Sequence, residues 1–445
     1  MLKKSALSAL SVLFSISLAS ASDFGLNSGS LNIKERVSGI EIPAPRAPAA
    51  ESGFSRAPLK EWTVMVYING KNNLESFALK DLNEMEMVGS SDKLNIVVEI
   101  GRISYINNGS DNDWQGTRRY LVNKDNNDNS LGSALVEDMG MVDMGDYRNL
   151  SAFGRWAKEN YPAKKYMLIV WNHGSGWDKS AGGRVSKGIS YDDETGNHIS
   201  TPQLGQALKE MGKVDVYGSD ACLMQMAEVD YELKDYADYI VGSEETEPAD
   251  GYTYNDFLAP VAVRPEISPA ELAKAAVDAY SDHYQWNTGS TQSFIKTAAL
   301  PDLVENVNAW VDAVMAAGLK TEVAAARSEA ISYANPSNRD LYNFVNLVSE
   351  KTQNAAVMER SAALMDFISN DLVMYNRTTN KPGSAWGDDY HGDGYGKALN
   401  KRKDYSESRG IAVYLPGYAI EQGYDELAWA GASKWDEFIT WYTAQ

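Results

Sequence analysis

Tyr166-Met167-Leu168-Ile169-Val170-Trp171 runs straight into Asn172-His173-Gly174-Ser175-Gly176, and the change of character after Trp171 decides how this chain is read. Six apolar or aromatic residues in a row predict a buried strand. The polar, glycine-rich continuation predicts an abrupt turn. The same pattern recurs downstream. Val214-Asp215-Val216-Tyr217-Gly218 predicts a second short strand that leaves through Ser219-Asp220-Ala221-Cys222. Leu223 to Leu233 then has the composition and apolar spacing of a helix beginning at Cys222. A His and the single Cys of the chain therefore follow the carboxyl ends of two strands, the edge where open α/β sheets build their sites.

A lone Cys most often serves as a small buried hydrophobe, and a lone His as a structural residue. Two features favour a nucleophile and its base. Both residues leave strands instead of lying inside apolar runs, and both come with backbone donors able to hold an oxyanion, the amides of Gly174 and Cys222.

Working outward, the flanking chain alternates between the two periods. Thr63 to Ile68 and Leu94 to Ile100 predict strands, with a helix over Leu74 to Met87 between them. Arg118 to Val122 is a further strand candidate. Asn123 to Asp146 is acidic and rich in Asn and Gly, and predicts a loop; calcium is possible there, although its spacing fits no EF-hand and no cofactor is required by the sequence. Asn149 is placed to cap a helix carrying Leu150, Phe153, Trp156 and Ala157 on one face. Pro202 to Met211 predicts a short helix and Tyr239 to Gly242 a strand. Such alternation implies a mostly parallel sheet covered on both faces by helices. Beyond residue 260 the pattern turns mainly helical, with Ser268-Pro269 and Glu271 marking one helix start and Leu303, Val307, Trp310 and Val314 lining another helix. Ser293 to Ala298 and Ile411 to Leu415 are the remaining strand candidates.

The first 21 residues read as an export signal: Lys3 and Lys4, an apolar core over Ala6 to Leu18, and Ala19-Ser20-Ala21 before the cut. Residues 22–60, with four prolines, read as a linker or pro-segment. Residues 61–260 are expected to form the sheet-based core, and 261–445 a mostly helical part that returns strands to the sheet. The formal charge of −20 argues against nucleic acid and anionic membranes as partners. One Cys allows no intramolecular disulfide despite export.

Six segments, in order, carry a resemblance: WTVMVYINGKNNL (Trp62 to Leu74), NHGSGW (Asn172 to Trp177), GISYDD (Gly188 to Asp193), DACLMQMAE (Asp220 to Glu228), SEETEPADGY (Ser243 to Tyr252) and GIAVYLP (Gly410 to Pro416). Together they resemble the clostripain family of cysteine peptidases, within the caspase-like fold. The resemblance implies a caspase-like α/β sheet with a helical C-terminal subdomain, and catalytic roles for His173 and Cys222, with the Gly174 amide in the oxyanion hole. It also implies a pocket for a basic side chain at Asp220 and Asp250, hence peptide substrates with Arg or Lys before the cut. Activation by self-cleavage between the two catalytic residues is implied as well, with Lys187 as the favoured scissile residue and Arg184 as the alternative.

Several alternatives stay open in the sequence. Asp220 could instead cap the helix after Cys222, and Glu244, Glu245 and Glu247 compete with Asp250. A third orienting residue is not identifiable. His391-Gly392 repeats the His-Gly pair but follows a polar Gly-Asp-Asp stretch and predicts a loop. The absence of a G-x-S-x-G element counts against a serine hydrolase, and His198 and His283 lack metal-ligand spacing. Against the exported endopeptidase stand a surface binding protein on a degenerate peptidase fold and a cysteine hydrolase of small amides.

Overall fold

The computed structural model describes residues 59–105, 110–127, 130–177, 188–285, 289–380 and 404–444. The first 21 residues, read above as an export signal, nearly all of the expected linker, Lys187, Arg184 and His391 lie outside them. Lys60, placed by sequence in the linker, opens the first strand.

Among the described residues, nine strands form the central sheet: β1 (Lys60–Gly70), β2 (Leu94–Arg102), β3 (Gly116–Leu121), β4 (Ala134–Gly140), β5 (Ala163–Trp171), β8 (Val214–Asp220), β9 (Ala237–Gly242), β10 (Ser290–Lys296) and β12 (Val373–Thr379). Their order is β12-β10-β9-β8-β5-β1-β2-β3-β4. The middle pairs β2·β1, β1·β5, β5·β8 and β8·β9 are parallel, and the outer pairs at both edges are antiparallel. The sheet is mostly parallel, as the alternation of periods implied.

Each central strand sends alternate side chains into two cores. Val64, Val66, Ile68, Met167 and Ile169 face α1 (Glu75–Val88), α5 (Tyr254–Val263) and α6 (Pro269–Tyr284). Met65, Tyr67, Leu168 and Val170 face the opposite layer, which includes α2 (Tyr147–Asn160), α3 (Thr201–Met211), α4 (Ala227–Leu233) and α7 (Leu300–Ala316). Burial on both faces is why Tyr166 to Trp171 reads as an unbroken apolar run instead of an alternating one. α6 begins at the expected Ser268, which forms a capping box with Glu271. α3 has the same device, from Ser200 and Gln203. On the C-terminal side follow α8 (Lys320–Glu329), β11 (Asn338–Asp340), α9 (Leu341–Glu350), α10 (Ala355–Phe367), β13 (Ala412–Tyr414), α11 (Ala428–Ala432) and α12 (Trp435–Thr443).

Four local expectations are corrected. The acidic stretch Asn123 to Asp146 contains strand β4, whose side chains are almost all exposed. It is held by its ladder to β3 and by pairs of Glu137 with Arg119 and Asp138 with Arg118, at 2.9 and 3.0 Å; a strand exposed on both faces has no need of an alternating apolar pattern. α2 is capped by Asp146, not Asn149. β12 was not anticipated, and β13 pairs with β11 in a separate two-stranded ladder. The helix after Cys222 starts only at Ala227. Leu223 takes a left-handed φ of 64°, and the chain from Leu223 to Gln225 is drawn into bonds with Glu245 and Ser243. Cys222 thus lies in a turn, so its amide is not a helix N-terminus.

Leu168 is fully buried. Leu168→Ala is expected to cost about 2–5 kcal/mol of unfolding free energy, read as a lower urea midpoint with an unchanged slope.

Candidate active site

Parallel pairing brings the two key exits together. Trp171, the last residue of β5, is the register partner of Asp220, the last residue of β8. His173 and Cys222 are each two residues further on. Between them the backbones close to contact: a Cβ on Gly174 would lie 2.4 Å from the Cys222 carbonyl oxygen and 3.0 Å from Ala221 Cβ, so no larger residue fits. Asn172 donates its amide to Asp220 O at 3.2 Å, and its side chain bonds Asn69 O at the end of β1.

The loop leaving His173 is held at both sides. The Ser175 amide donates to Gly188 O at 3.0 Å, and Gly188 N donates back to Ser175 Oγ at 3.2 Å. Gly188 leads into β6 (Ile189–Asp192), which pairs with β7 (Asn197–Ile199). Trp177 packs edge-on against Tyr414 and Tyr424, with ring centroids 5.1 and 4.8 Å away. His173 is half-buried, and its Nε2 lies 2.8 Å from Asn73 Oδ1. Burial pulls its pKa down, opposed by the charge of Asp193, so the ring is neutral near pH 7.

Cys222 is half-buried. The Glu247 amide donates to its sulfur at 3.3 Å, and Glu247 O stands 3.8 Å away as the acceptor for the thiol hydrogen. Burial, reinforced by the charges of Glu247 and Glu245, pushes the thiol up to about 12. In this state the sulfur carries its proton, and reaction requires a base to remove it.

Asp220 is 4% exposed. It accepts from Tyr254 OH at 2.8 Å and from Tyr252 N at 3.2 Å, and does not cap α4. Burial raises its pKa to about 6 against these bonds. Glu247, beside it, is raised by burial and by the Asp220 charge. Asp81, which accepts from Trp171 Nε1 at 2.6 Å, is raised for the same two reasons. Asp250 is placed differently: its side chain is 45% exposed and pairs with Lys80 at 2.8 Å. Burial, and then the charges of Asp220, Asp250, Glu247 and Asp81, disfavour ionisation of the Tyr284 hydroxyl.

The competing glutamates separate cleanly. Glu244 is bonded to Tyr333 OH at 2.7 Å, and Glu245 to Ala334 N and Tyr405 OH at 2.9 and 2.6 Å. Only Glu247 stays beside Asp220. The sequence offered Glu244, Glu245 and Glu247 as rivals of Asp250, and carried no sign of Asn73 beyond its place in WTVMVYINGKNNL. Among the described residues, no group of three or more His, Cys, Asp or Glu is disposed to hold a metal ion, and no helix is long and apolar enough to cross a membrane.

A sheet of this order with a Cys and a His at neighbouring strand exits is the framework of a cysteine peptidase. The chain belongs to the clostripain family, whose model matches residues 66–441. Clostripain of Hathewaya histolytica is 29% identical over 213 residues, an alignment spanning 43% of this chain and 40% of that protein; the match covers less than half of that relative's length. A secreted C11 cysteine protease from Bacteroides thetaiotaomicron, solved with an irreversible peptide inhibitor, has a TM-score of 0.63 at 24% identity, covering 85% of this chain and 100% of that one. An inactive zymogen C11 protease from Parabacteroides distasonis gives 0.62 at 18% identity, covering 84% of this chain and 98% of that one. The two solved structures share the fold.

The raised Asp220 means that the folded chain binds more protons than the unfolded one between about pH 4 and about pH 6. Stability from this group is complete below that window and is lost as pH rises through it. Measured against Asp220→Asn, both in a Cys222→Ala background, wild-type Asp220 is expected to lose roughly 2–3 kcal/mol across the window. A difference that stays flat with pH would show that Asp220 ionises normally.

Proposed function

We propose that the chain is an exported cysteine endopeptidase that cleaves peptide bonds after Arg or Lys. The observation that carries this reading is the contact of Gly174 with the Cys222 carbonyl, which joins the exits of β5 and β8 and sets His173 and Cys222 on one edge. Cys222 is the nucleophile and His173 the proton carrier. The thiol proton passes to His173 as sulfur bonds to the scissile carbonyl carbon, and the carbonyl π electrons move onto oxygen. The amides of Gly174 and Cys222 are the donors for that oxyanion, each worth about 3–4 kcal/mol in such sites. Collapse of the intermediate breaks the C–N bond, and the leaving amine takes the proton from His173. Water, deprotonated by His173, then hydrolyses the thioester and returns the thiol.

Preference for Arg or Lys rests on charge. Asp220, with Asp250 on the loop after β9, would meet the substrate cation, and Glu247 adds a third carboxyl. Buried carboxyls crowded together are costly without a counter-charge, so a guanidinium or ammonium entering there exchanges repulsion for charge-assisted bonds. Self-activation after Lys187 is part of the same reading. Its support is the bonding of Ser175 to Gly188 and the pairing of β6, which would keep the pieces together after a cut. The C11 protease of Parabacteroides distasonis solved as an inactive zymogen points the same way.

The test is a set of reporter amides ending in Arg, Lys, Asp or Ala, with intact mass measured on the same samples. Wild type should hydrolyse Arg and Lys reporters and appear as two fragments meeting at Lys187. Cys222→Ala and His173→Ala should be inert and uncut, and Asp220→Ala should lose most Arg and Lys turnover while still reacting with a small thiol alkylator. Turnover by Cys222→Ala, or a preference for Asp or Ala, would overturn the reading.

A further inference from the structure

The clearest contact made by the His173 ring is to a residue with no assigned role. Asn73 Oδ1 stands 2.8 Å from His173 Nε2. An amide oxygen only accepts, so Nε2 must carry the hydrogen in this contact. In the neutral ring that leaves the lone pair on Nδ1.

The turn that carries Asn73 is fixed on every side. It follows β1, the parallel neighbour of β5. Asn69 Oδ1 accepts from Lys71 N at 3.1 Å, and Asn72 Oδ1 from Leu74 N at 2.9 Å, so the turn is braced internally. Asn69 Nδ2 donates to Ser190 Oγ at 3.1 Å, and Asn72 Nδ2 to Tyr191 O at 2.9 Å. Lys71 O accepts from Asp193 N at 2.9 Å. Asn172, directly before His173, bonds both Asn69 O and Tyr191 N. One frame of β1, β5 and β6 thus sets the distance between Asn73 and His173. Asn73 itself is exposed, so neither core packing nor burial explains its orientation.

We propose that Asn73 is the positioning residue for His173, accepting the Nε2 hydrogen so that Nδ1 is the nitrogen that takes the thiol proton, and keeping that bond once the ring is charged. A fixed acceptor on the far nitrogen is what a His base needs, because it sets both tautomer and ring plane. An uncharged acceptor does so without a carboxylate's pull toward the imidazolium. The charge acting on the ring is that of Asp193, which favours its protonated form.

This inference rests on His173 being the proton carrier, so His173→Ala is measured alongside. Rates are taken on an Arg reporter amide, per thiol titrated with an irreversible alkylator. Asn73→Ala should lower kcat by about 10- to 100-fold with KM and thermal midpoint close to wild type. Asn73→Asp should recover part of kcat and move the acid limb of the kcat/KM profile to higher pH, since a carboxylate there favours the protonated ring. A purely structural Asn73 would change the midpoint and leave that limb in place. Asn73→Ala at wild-type kcat, or an unmoved limb in Asn73→Asp, overturns this inference while an inert His173→Ala keeps the dyad. A fully active His173→Ala would remove both.

Discussion

The parallel pairing of β5 with β8 is the constraint from which the rest of this molecule follows. Residues far apart in the chain acquire one register, Met167 with Val216 through to Trp171 with Asp220, and both strands end on the same line. Because the strands run the same way, both exits open on one edge, with β1 bringing a third exit beside them. The edge then closes through backbone contact: Gly174 against the Cys222 carbonyl, Asn172 bonded to Asp220 O, and Asn172 again to Asn69 O. A side chain at 174 would push the two exits apart. The two cores on either face give this edge its rigidity, since neither strand can shift without disturbing packed layers on both sides.

The loop after β9 supplies the opposite wall and couples it to the C-terminal half. Ser243 O and Glu245 O receive the amides of Gln225 and Leu223, and the Glu247 amide meets the sulfur. The same loop is tied down through Glu244 to Tyr333 and through Glu245 to Tyr405 and Ala334. The seat of the thiol therefore depends on segments well over a hundred residues along the chain. The electrostatic cost is visible in the buried acids. Glu244 and Asp340 are both raised by burial, Glu244 further by the Asp340 charge, and Asp220 and Glu247 form a second such group beside the thiol. Burial and neighbouring charge favour the protonated form of each of these acids.

What was legible in the sequence is what short-range pattern encodes. The buried strands β1, β2, β5 and β8 read directly as short stretches rich in apolar residues, unbroken in β5, because both faces are covered. Ser268 and Glu271 read as a helix start because the capping box is local chemistry. His173 and Cys222 stood out because polar residues and glycine break those runs abruptly. Where stability comes from long-range partners, the reading failed. β4 is solvated and survives on its ladder and on Arg118 and Arg119. The turn after Cys222 looked like helix because Leu223 to Gln225 are apolar or helix-forming residues, while bonds to Ser243 and Glu245 hold them out of it.

The sequence by itself determined the class of fold, the two strands that lead to His173 and Cys222, and the excess of acid near the second of them, since each is written in residues close together in the chain. Only the tertiary structure decided which carboxyl accompanies which. Glu244 and Glu245 are consumed by Tyr333 and Tyr405 and Asp250 turns to Lys80, while Glu247 and Asp81 stay beside Asp220. It also decided that Asn73 meets His173. Such pairings depend on register across the sheet and on loops closing from distant segments, and a one-dimensional pattern of residue types carries no record of either.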